Sequence, residues 1–213
     1  MFTGIVEAIG SITSLQKKGG DYQVTVNSGD LDLSDVKLGD SIATSGVCLT
    51  VVELSSNGYV ADVSNETINH TGFAHYKSGQ LVNLEKAMLP TTRFGGHMVS
   101  GHVDTVAKLT RVVNNGRAID LWFDLPSDIA KYVVKKGSIT IDGVSLTVND
   151  VEAQKFKLTI VPHTSEQTTL EKLTVGTAVN VEVDIIARYV ERLVSKSDDG
   201  VTMGLLAKSG FLK

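Results

Sequence analysis

The chain has little cysteine: Cys48 stands alone in 213 residues. That excludes an internal disulfide and fits a reducing cytoplasm. No apolar run is long enough to span a bilayer, which argues against a membrane protein. Met1 to Glu7 lacks a basic region and an extended apolar stretch, so it does not read as a signal peptide. Basic residues are scattered and the formal net charge is −4. Nucleic acid is therefore not an expected partner, because phosphate binding needs clustered positive charge. Gly95-Gly96 lacks the Gly-x-Gly-x-x-Gly context of a dinucleotide loop, and no Gly-x-Ser-x-Gly elbow is present. His97 and His102, with Cys48 or His163 as further ligands, match no zinc spacing, so no metal is expected.

What the chain does have is itself, twice. Hydrophobic content of 42% and charged content of 21% are ordinary for one large domain or two small ones. Gly46, Val47, Leu49, Thr50 and Val51 recur as Gly143, Val144, Leu146, Thr147 and Val148, an offset of 97. The same offset relates Met1-Phe2-Thr3-Gly4-Ile5-Val6 to Met98-Val99-Ser100-Gly101-His102-Val103. It also relates Thr67 to Thr164, Gly79 to Gly176, Asn83 to Asn180 and Glu85 to Glu182. A period this long is not a solenoid, whose repeats run about 20–50 residues. It reads as a duplicated all-β domain of short strands, small enough to close into a barrel and hide its edges.

The local pattern agrees. Phe2 to Gly10 reads as strand, and Ser11 to Leu15 alternates. Lys17 to Asp21 reads as a turn, Tyr22 to Val26 as a half-buried strand, and Leu31 to Val36 as one helical turn. Ser41 to Ala43 and Cys48 to Leu54 read as strands around a tight turn at Thr44-Ser45-Gly46. Asn57-Gly58 is a hairpin signal leading into Tyr59 to Val63, and Gln80 to Glu85 closes the half. Two helices stand outside this scheme. One runs over Ile129 to Lys136, capped by Pro126-Ser127-Asp128 and ended by Gly137. The other begins at Asp184, with Ile185, Ile186, Tyr189, Val190, Leu193 and Val194 forming one stripe. The first half has no counterpart of it. It reads as a subunit contact, the alternative being that it packs on one of its own barrels.

Two like folds in tandem suit two copies of one small molecule. Shared residues should bind it, and mismatches should make the sites unequal. Gly4 with Gly101, Thr50 with Thr147, and Thr67 with Thr164 are shared; the glycines and the Leu49/Leu146 pair serve folding equally well. His102 stands opposite Ile5, Ser145 opposite Cys48, Asp142 opposite Ser45 and His163 opposite Glu66. A histidine moves protons near neutral pH, and isoleucine cannot. Serine at the place of Cys48 argues against a nucleophilic thiol. Phe2 is either core or an aromatic that stacks on a flat heterocycle.

Met1 to Val6, Gly46 to Val51, Gly95 to Asp104, Asp142 to Val148 and Ala187 to Leu193 together resemble the riboflavin synthase family, α chain, over nearly the whole length. The resemblance implies two tandem six-stranded closed barrels, 1–97 and 98–184, each binding one lumazine. It implies a C-terminal helical trimerisation segment, 185–213. It implies dismutation of two molecules of 6,7-dimethyl-8-ribityllumazine by four-carbon transfer, without cofactor or metal, in a cytoplasmic homotrimer that can associate with lumazine synthase. The active site would form between the N-terminal barrel of one chain and the C-terminal barrel of its neighbour.

By the matching motifs, the N-terminal pocket is expected to use Gly4, Ile5, Val6, Cys48, Leu49, Thr50, Asp62, Val63, Ser64, Asn65, Glu66 and Thr67. The C-terminal pocket is expected to use Gly101, His102, Val103, Lys136, Ser145, Leu146, Thr147, Thr159, Ile160, Val161, Pro162, His163 and Thr164. His102 with the Ser145 and Thr147 hydroxyls is the candidate relay for a ring methyl proton, and Cys48, Phe2 and His97 complete the candidate catalytic set. Two rivals remain: a non-catalytic fluorescent lumazine carrier of the same fold, and the flavin barrel of an electron-transfer reductase. The reductase lacks support because no nicotinamide-binding partner domain is present. A carrier would degrade one half of the repeat, and here both Leu-Thr-Val segments are intact.

Overall fold

The computed structural model describes residues 1–194 and 208–210. The first barrel is built from β1 (Ala8–Lys18), β2 (Asp21–Asn27), β3 (Ser41–Thr44), β4 (Val47–Ser55), β5 (Gly58–Val63) and β6 (Leu81–Lys86). The second is built from β7 (Thr105–Asn115), β8 (Ala118–Asp124), β9 (Ser138–Ile141), β10 (Val144–Glu152), β11 (Lys155–Ile160) and β12 (Ala178–Val183). Every strand of the second begins and ends 97 residues after its partner in the first. Each barrel is closed and antiparallel, in the same order β1-β2-β5-β4-β3-β6. Register shifts recur at equivalent places, Ile12/Ser14 with Leu109/Arg111 and Val51/Glu53 with Val148/Asp150. Such bulges supply the bending that closure requires.

Each interior is filled from its own strands. Ile12, Val24, Ile42, Val51, Tyr59 and Leu84 fill the first, and Leu109, Leu121, Ile139, Val148, Phe156 and Val181 the second. Alternation puts these residues inward and polar ones outward. Two short helices, α1 (Asn65–His70) and α2 (Pro162–Glu166), follow β5 and β11. Ser64 caps α1 by accepting the Thr67 N–H at 3.1 Å, whereas Pro162 opens α2. The last helix, α3 (Ile185–Val194), has no buried residue.

The barrels meet at their β3–β4 and β9–β10 turns. Ser45 and Gly46 both have positive φ, 45° and 81°, and so do Asp142 and Gly143, 45° and 80°. Two consecutive positive φ values make the two-residue turn that matches strand twist. A side chain at Gly46 would put a Cβ 2.7 Å from the Gly143 nitrogen, and one at Gly143 would come within 2.8 Å of the Gly46 nitrogen. The turns thus lie backbone to backbone about a pseudo-twofold axis. Phe2 and Val99, themselves equivalent residues, bridge across it.

Two asparagines lock this contact. Asn83 Nδ2 donates to the Asp142 carbonyl at 2.9 Å, and its Oδ1 accepts the Thr169 N–H at 2.8 Å. Asn180 Nδ2 donates to the Ser45 carbonyl at 2.8 Å, and its Oδ1 accepts the Gly72 N–H at 2.7 Å. Each amide therefore spans from its own barrel to the other and pairs the carbonyl of the first residue of the opposite turn.

Three sequence expectations change. Ile129 to Lys136 is not a helix but a single 3-10 turn, Ala130–Tyr132. Ile129 and Val133 are buried in the second barrel, and Lys136 donates its N–H to Val148 at 2.7 Å. A continuous helix could not serve both demands. Leu31 to Val36 holds one turn at Ser34-Asp35, closed by the Val36 N–H on the Leu33 carbonyl at 3.1 Å, and no helix. The first strand starts at Ala8, because residues 2–6 cross toward the other barrel, where the Gly4 carbonyl accepts the Ser145 N–H.

Asn180→Ala leaves the Gly72 N–H and Ser45 carbonyl unpaired in a dry interface, for an expected loss of about 2–4 kcal/mol in urea unfolding. Asp142 supplies a second test. Burial pushes its carboxyl up to about 7, against the opposing N–H of Asn180. Between about pH 4 and about pH 7 the folded chain keeps a proton here that the unfolded chain releases, so stability falls as pH rises through that window. Asp142→Asn has no such proton. Its stability relative to the parent should therefore rise from about pH 5 to about pH 8. A pH-independent difference would show that the carboxyl titrates normally.

Candidate active site

The crossing of two segments builds the site. Gly4 offers its carbonyl to the Ser145 N–H at 2.7 Å, and Gly101 offers its carbonyl to the Cys48 N–H at 2.8 Å. Both glycines have positive φ, and a Cβ on either would lie 2.6 Å from the Cβ of Ser145 or Cys48. Val6 packs against the core of the second barrel and Val103 against that of the first. The expected pocket assignment is corrected accordingly: Gly4, Ile5 and Val6 line the second barrel, and Gly101, His102 and Val103 line the first. The physical reason is the backbone pairing across the axis, which hands each segment to the opposite wall.

Buried carboxylates hold the crossings. Glu85 accepts the Thr3 N–H at 2.6 Å, the Thr3 hydroxyl at 2.7 Å and the Gly4 N–H at 3.0 Å. Glu182 does the same for Ser100 and Gly101 at 2.6, 2.7 and 3.0 Å. Burial raises both carboxyls above the usual range, and the three donors on each oppose it.

The first wall carries Cys48, half-buried, Thr50, exposed, and buried Leu49 behind them, with His102 exposed on the crossing segment. The second carries Ser145 and Leu146, half-buried, and Thr147, exposed, with Ile5 exposed opposite. His97 adds to the second wall alone. Its Nδ1 lies 2.7 Å from Ser145 Oγ, and its Nε2 is buried without a partner. Burial lowers its pKa, with Asp184 pulling the other way. Cys48 has no such histidine. Each wall thus owns one imidazole, His102 on the first and His97 on the second.

The further predicted residues fall beside these walls. In β5, Val63 is buried while Asp62 faces outward and accepts from Gln23 Nε2 at 3.1 Å. The equivalent Thr159 donates to Asp120 at 2.6 Å, next to buried Ile160. Ser64, Asn65, Glu66 and Thr67 form the first turn of α1, where the Asn65 amide is taken up by Gly20 and Asp21. Val161, Pro162, His163 and Thr164 form the matching turn of α2. Lys136 is exposed, with φ of 69°. Phe2 is corrected from the stacking role: its ring is 0% exposed and packs with Ala43 and Val99 behind Cys48. It supports the wall without reaching a ligand.

Within one chain, His102 follows Gly101 to the first wall and does not share a wall with Ser145 and Thr147. Sequence reasoning passed over Glu85/Glu182 and Asn83/Asn180 as site-building residues, although their recurrence at the common offset marked them. A cavity of about 600 Å³ lies between Ile5 and Gly95 and the first-barrel residues Ser41, Glu85 and Lys86. Thr50 and Thr147 are exposed, so within one chain both walls are open faces. Among the described residues, no three His, Cys, Asp or Glu gather into a metal-binding group, and no helix is long and apolar enough to cross a membrane.

The family model described as "Lumazine binding domain" matches twice, over residues 3–87 and 100–184. The chain is 59% identical to a riboflavin synthase of Photobacterium phosphoreum, with all of both chains covered. It is 51% identical to one of Photobacterium leiognathi, again over all of both chains. It is 40% identical to one of Bacillus subtilis (strain 168), over 99% of this chain and 100% of that one. Among solved structures, LumP complexed with 6,7-dimethyl-8-(1'-D-ribityl) lumazine superposes with a TM-score of 0.77 at 26% identity, covering 86% of this chain and 99% of the other. LumP complexed with riboflavin gives 0.79 at the same identity and coverage. Two crossed half-sites, a lumazine-binding domain in each barrel and full-length relatives of one name lead to one conclusion: the chain belongs to the riboflavin synthase family.

Proposed function

We propose that the chain is an enzyme, a transferase that dismutates two molecules of 6,7-dimethyl-8-ribityllumazine into riboflavin and 5-amino-6-ribitylamino-uracil. The observation that carries this reading is the pairing of like walls with unlike reactive groups. Thr50 and Thr147 with the crossed glycines are the same in both, while Cys48 and His102 share one wall and Ser145 with His97 the other. Similar walls take two copies of one ring, and unequal groups let one copy donate four carbons and the other accept them.

The residues act as follows in this reading. Leu49, Thr50, Asp62 to Thr67 and Gly101 to Val103 bind one lumazine. Gly4 to Val6, Lys136, Ser145 to Thr147 and Thr159 to Thr164 bind the other. His97 keeps the Ser145 oxygen ready to receive or return a proton. His102 serves the methyl proton on the facing ring. Holding two rings face to face supplies much of the acceleration, since oriented proximity contributes about 7–11 kcal/mol. Open walls cannot exclude water alone, so the first barrel of one chain meets the second barrel of a neighbour. That meeting also restores the relay of His102 with Ser145 and Thr147.

Assembly falls to α3. Ile186, Tyr189, Val190 and Leu193 are all exposed. The helix rests on its own barrel through charged groups instead, so its apolar stripe is left for another copy, in a homotrimer. We divide the chain at 97/98 and 184/185; residues 195–207 and 211–213 of the last segment lie outside the described residues.

Incubation with the lumazine alone tests the reading: riboflavin should form, whereas persistence of bound, fluorescent lumazine would identify a carrier. His102→Ala should lower turnover by about 10²-fold, the size of a general acid–base contribution, with assembly intact. Cys48→Ser should keep measurable activity, and total loss with normal ligand binding would restore a nucleophilic thiol. Val190→Glu should dissociate the trimer in sedimentation and abolish turnover together.

A further inference from the structure

The helix that breaks the duplication is wired to only one of the two crossing segments. Glu7 and Asp104 occupy equivalent places, each at the downstream end of a crossing segment. Glu7 Oε1 accepts the Lys86 N–H at 2.7 Å, and Asp104 Oδ2 accepts the Val183 N–H at 2.7 Å. With Glu85 and Glu182 upstream, both crossings are clamped at two ends. Among the described residues, Asp104 has a side-chain hydrogen-bond donor that Glu7 does not: Arg188 on α3 donates to its Oδ1. The place equivalent to Arg188 is Thr91, in the linker, where no helix forms.

Arg188 is itself held. Its guanidinium lies 5.2 Å from the centroid of the Tyr132 ring. The Tyr132 hydroxyl donates to Glu191, one turn further along α3, and Lys131 pairs with Glu191. These contacts fasten α3 to the 3-10 turn of the second barrel, and Arg188 extends the network to Asp104. The Asp104 side chain is only 11% exposed, so its charge is poorly solvated and depends on the partner it has. Burial raises its carboxyl and Arg188 opposes that rise. Removing Arg188 would leave an under-compensated carboxylate two residues from His102, on the stretch whose Gly101 carbonyl pairs with Cys48.

We propose that Arg188 is a positioning residue for the reaction: by holding Asp104 it fixes the backbone that presents His102 in the first half-site. The helix then contributes to turnover in addition to assembly, and to one half-site only. This rests on the reading of His102 as the proton-relay group.

The test uses full-length chains: Arg188→Gln, Arg188→Lys, Asp104→Asn, the Arg188→Gln/Asp104→Asn double variant and His102→Ala. Turnover of the lumazine, riboflavin affinity by fluorescence and sedimentation are measured on each. Arg188→Gln should lower kcat by about tenfold, within the range a small misplacement causes, with riboflavin affinity and assembly unchanged. Arg188→Lys should recover most of that loss, and the double variant should be no slower than either single one. An unimpaired Arg188→Gln overturns the inference. So does a loss that Arg188→Lys fails to relieve, or one that appears only with dissociation or weaker riboflavin binding, since those mark a purely structural role. If His102→Ala turns over at the parent rate, the relay reading itself fails. If His102→Ala is slow while Arg188→Gln is not, the relay stands and only this inference falls.

Discussion

Everything in this molecule depends on two hairpin turns that touch backbone to backbone. Gly46 and Gly143 leave no room for a Cβ between them. That closeness brings the barrels near enough for Asn83 and Asn180 to reach across, and for residues 2–6 and 99–103 to change sides. A larger separation would strand both amides and empty both walls. The contact is polar and buried, and its two amides pair with backbone across the axis, which is what makes such an interface specific.

The crossing has a functional consequence. Neither half-site belongs to one barrel: the strand wall comes from one and the glycine segment from the other. Displacing one barrel would therefore disturb both sites. The duplication supplies likeness, and a few mismatches supply direction. His102 against Ile5 gives one wall an imidazole. His97, in the linker that joins the barrels, gives the other wall a different one through Ser145. Asp142 against Ser45 places a titratable group on the axis in one half only.

Acids do the joining. Buried Glu85 and Glu182 each gather three donors from a crossing segment, and exposed Glu7 and half-buried Asp104 each take one more downstream. Burial of the two glutamates is tolerated because each oxygen is occupied. Among the described residues, the C-terminal helix α3 stands outside this symmetry. It lies on its barrel by its charged face, leaving the apolar face outward, the reverse of a helix that packs on its own core.

The repeat carried most of the fold. A single offset read from Gly46/Gly143, Asn83/Asn180 and Glu85/Glu182 also gives the bounds of all six strand pairs, because alternation and turn chemistry are local and each half obeys them alike. It also marked Cys48, Thr50, Ser145 and Thr147 as walls, since a residue kept in both copies or changed in one is visible without coordinates. Local pattern could not say which barrel Gly4 or Gly101 would line, because period two tells in from out but not own from other. It could not bury Phe2, whose surroundings come from residues 40 to 100 positions away. It made a helix of Ile129 to Lys136, where the demands of the barrel interior and of Val148 prevailed over propensity. The repeat in the sequence settled two barrels of one kind, and the tertiary contact between two glycines decided that each barrel's wall is completed by a segment of the other, because only backbone that close lets residues 2–6 and 99–103 cross.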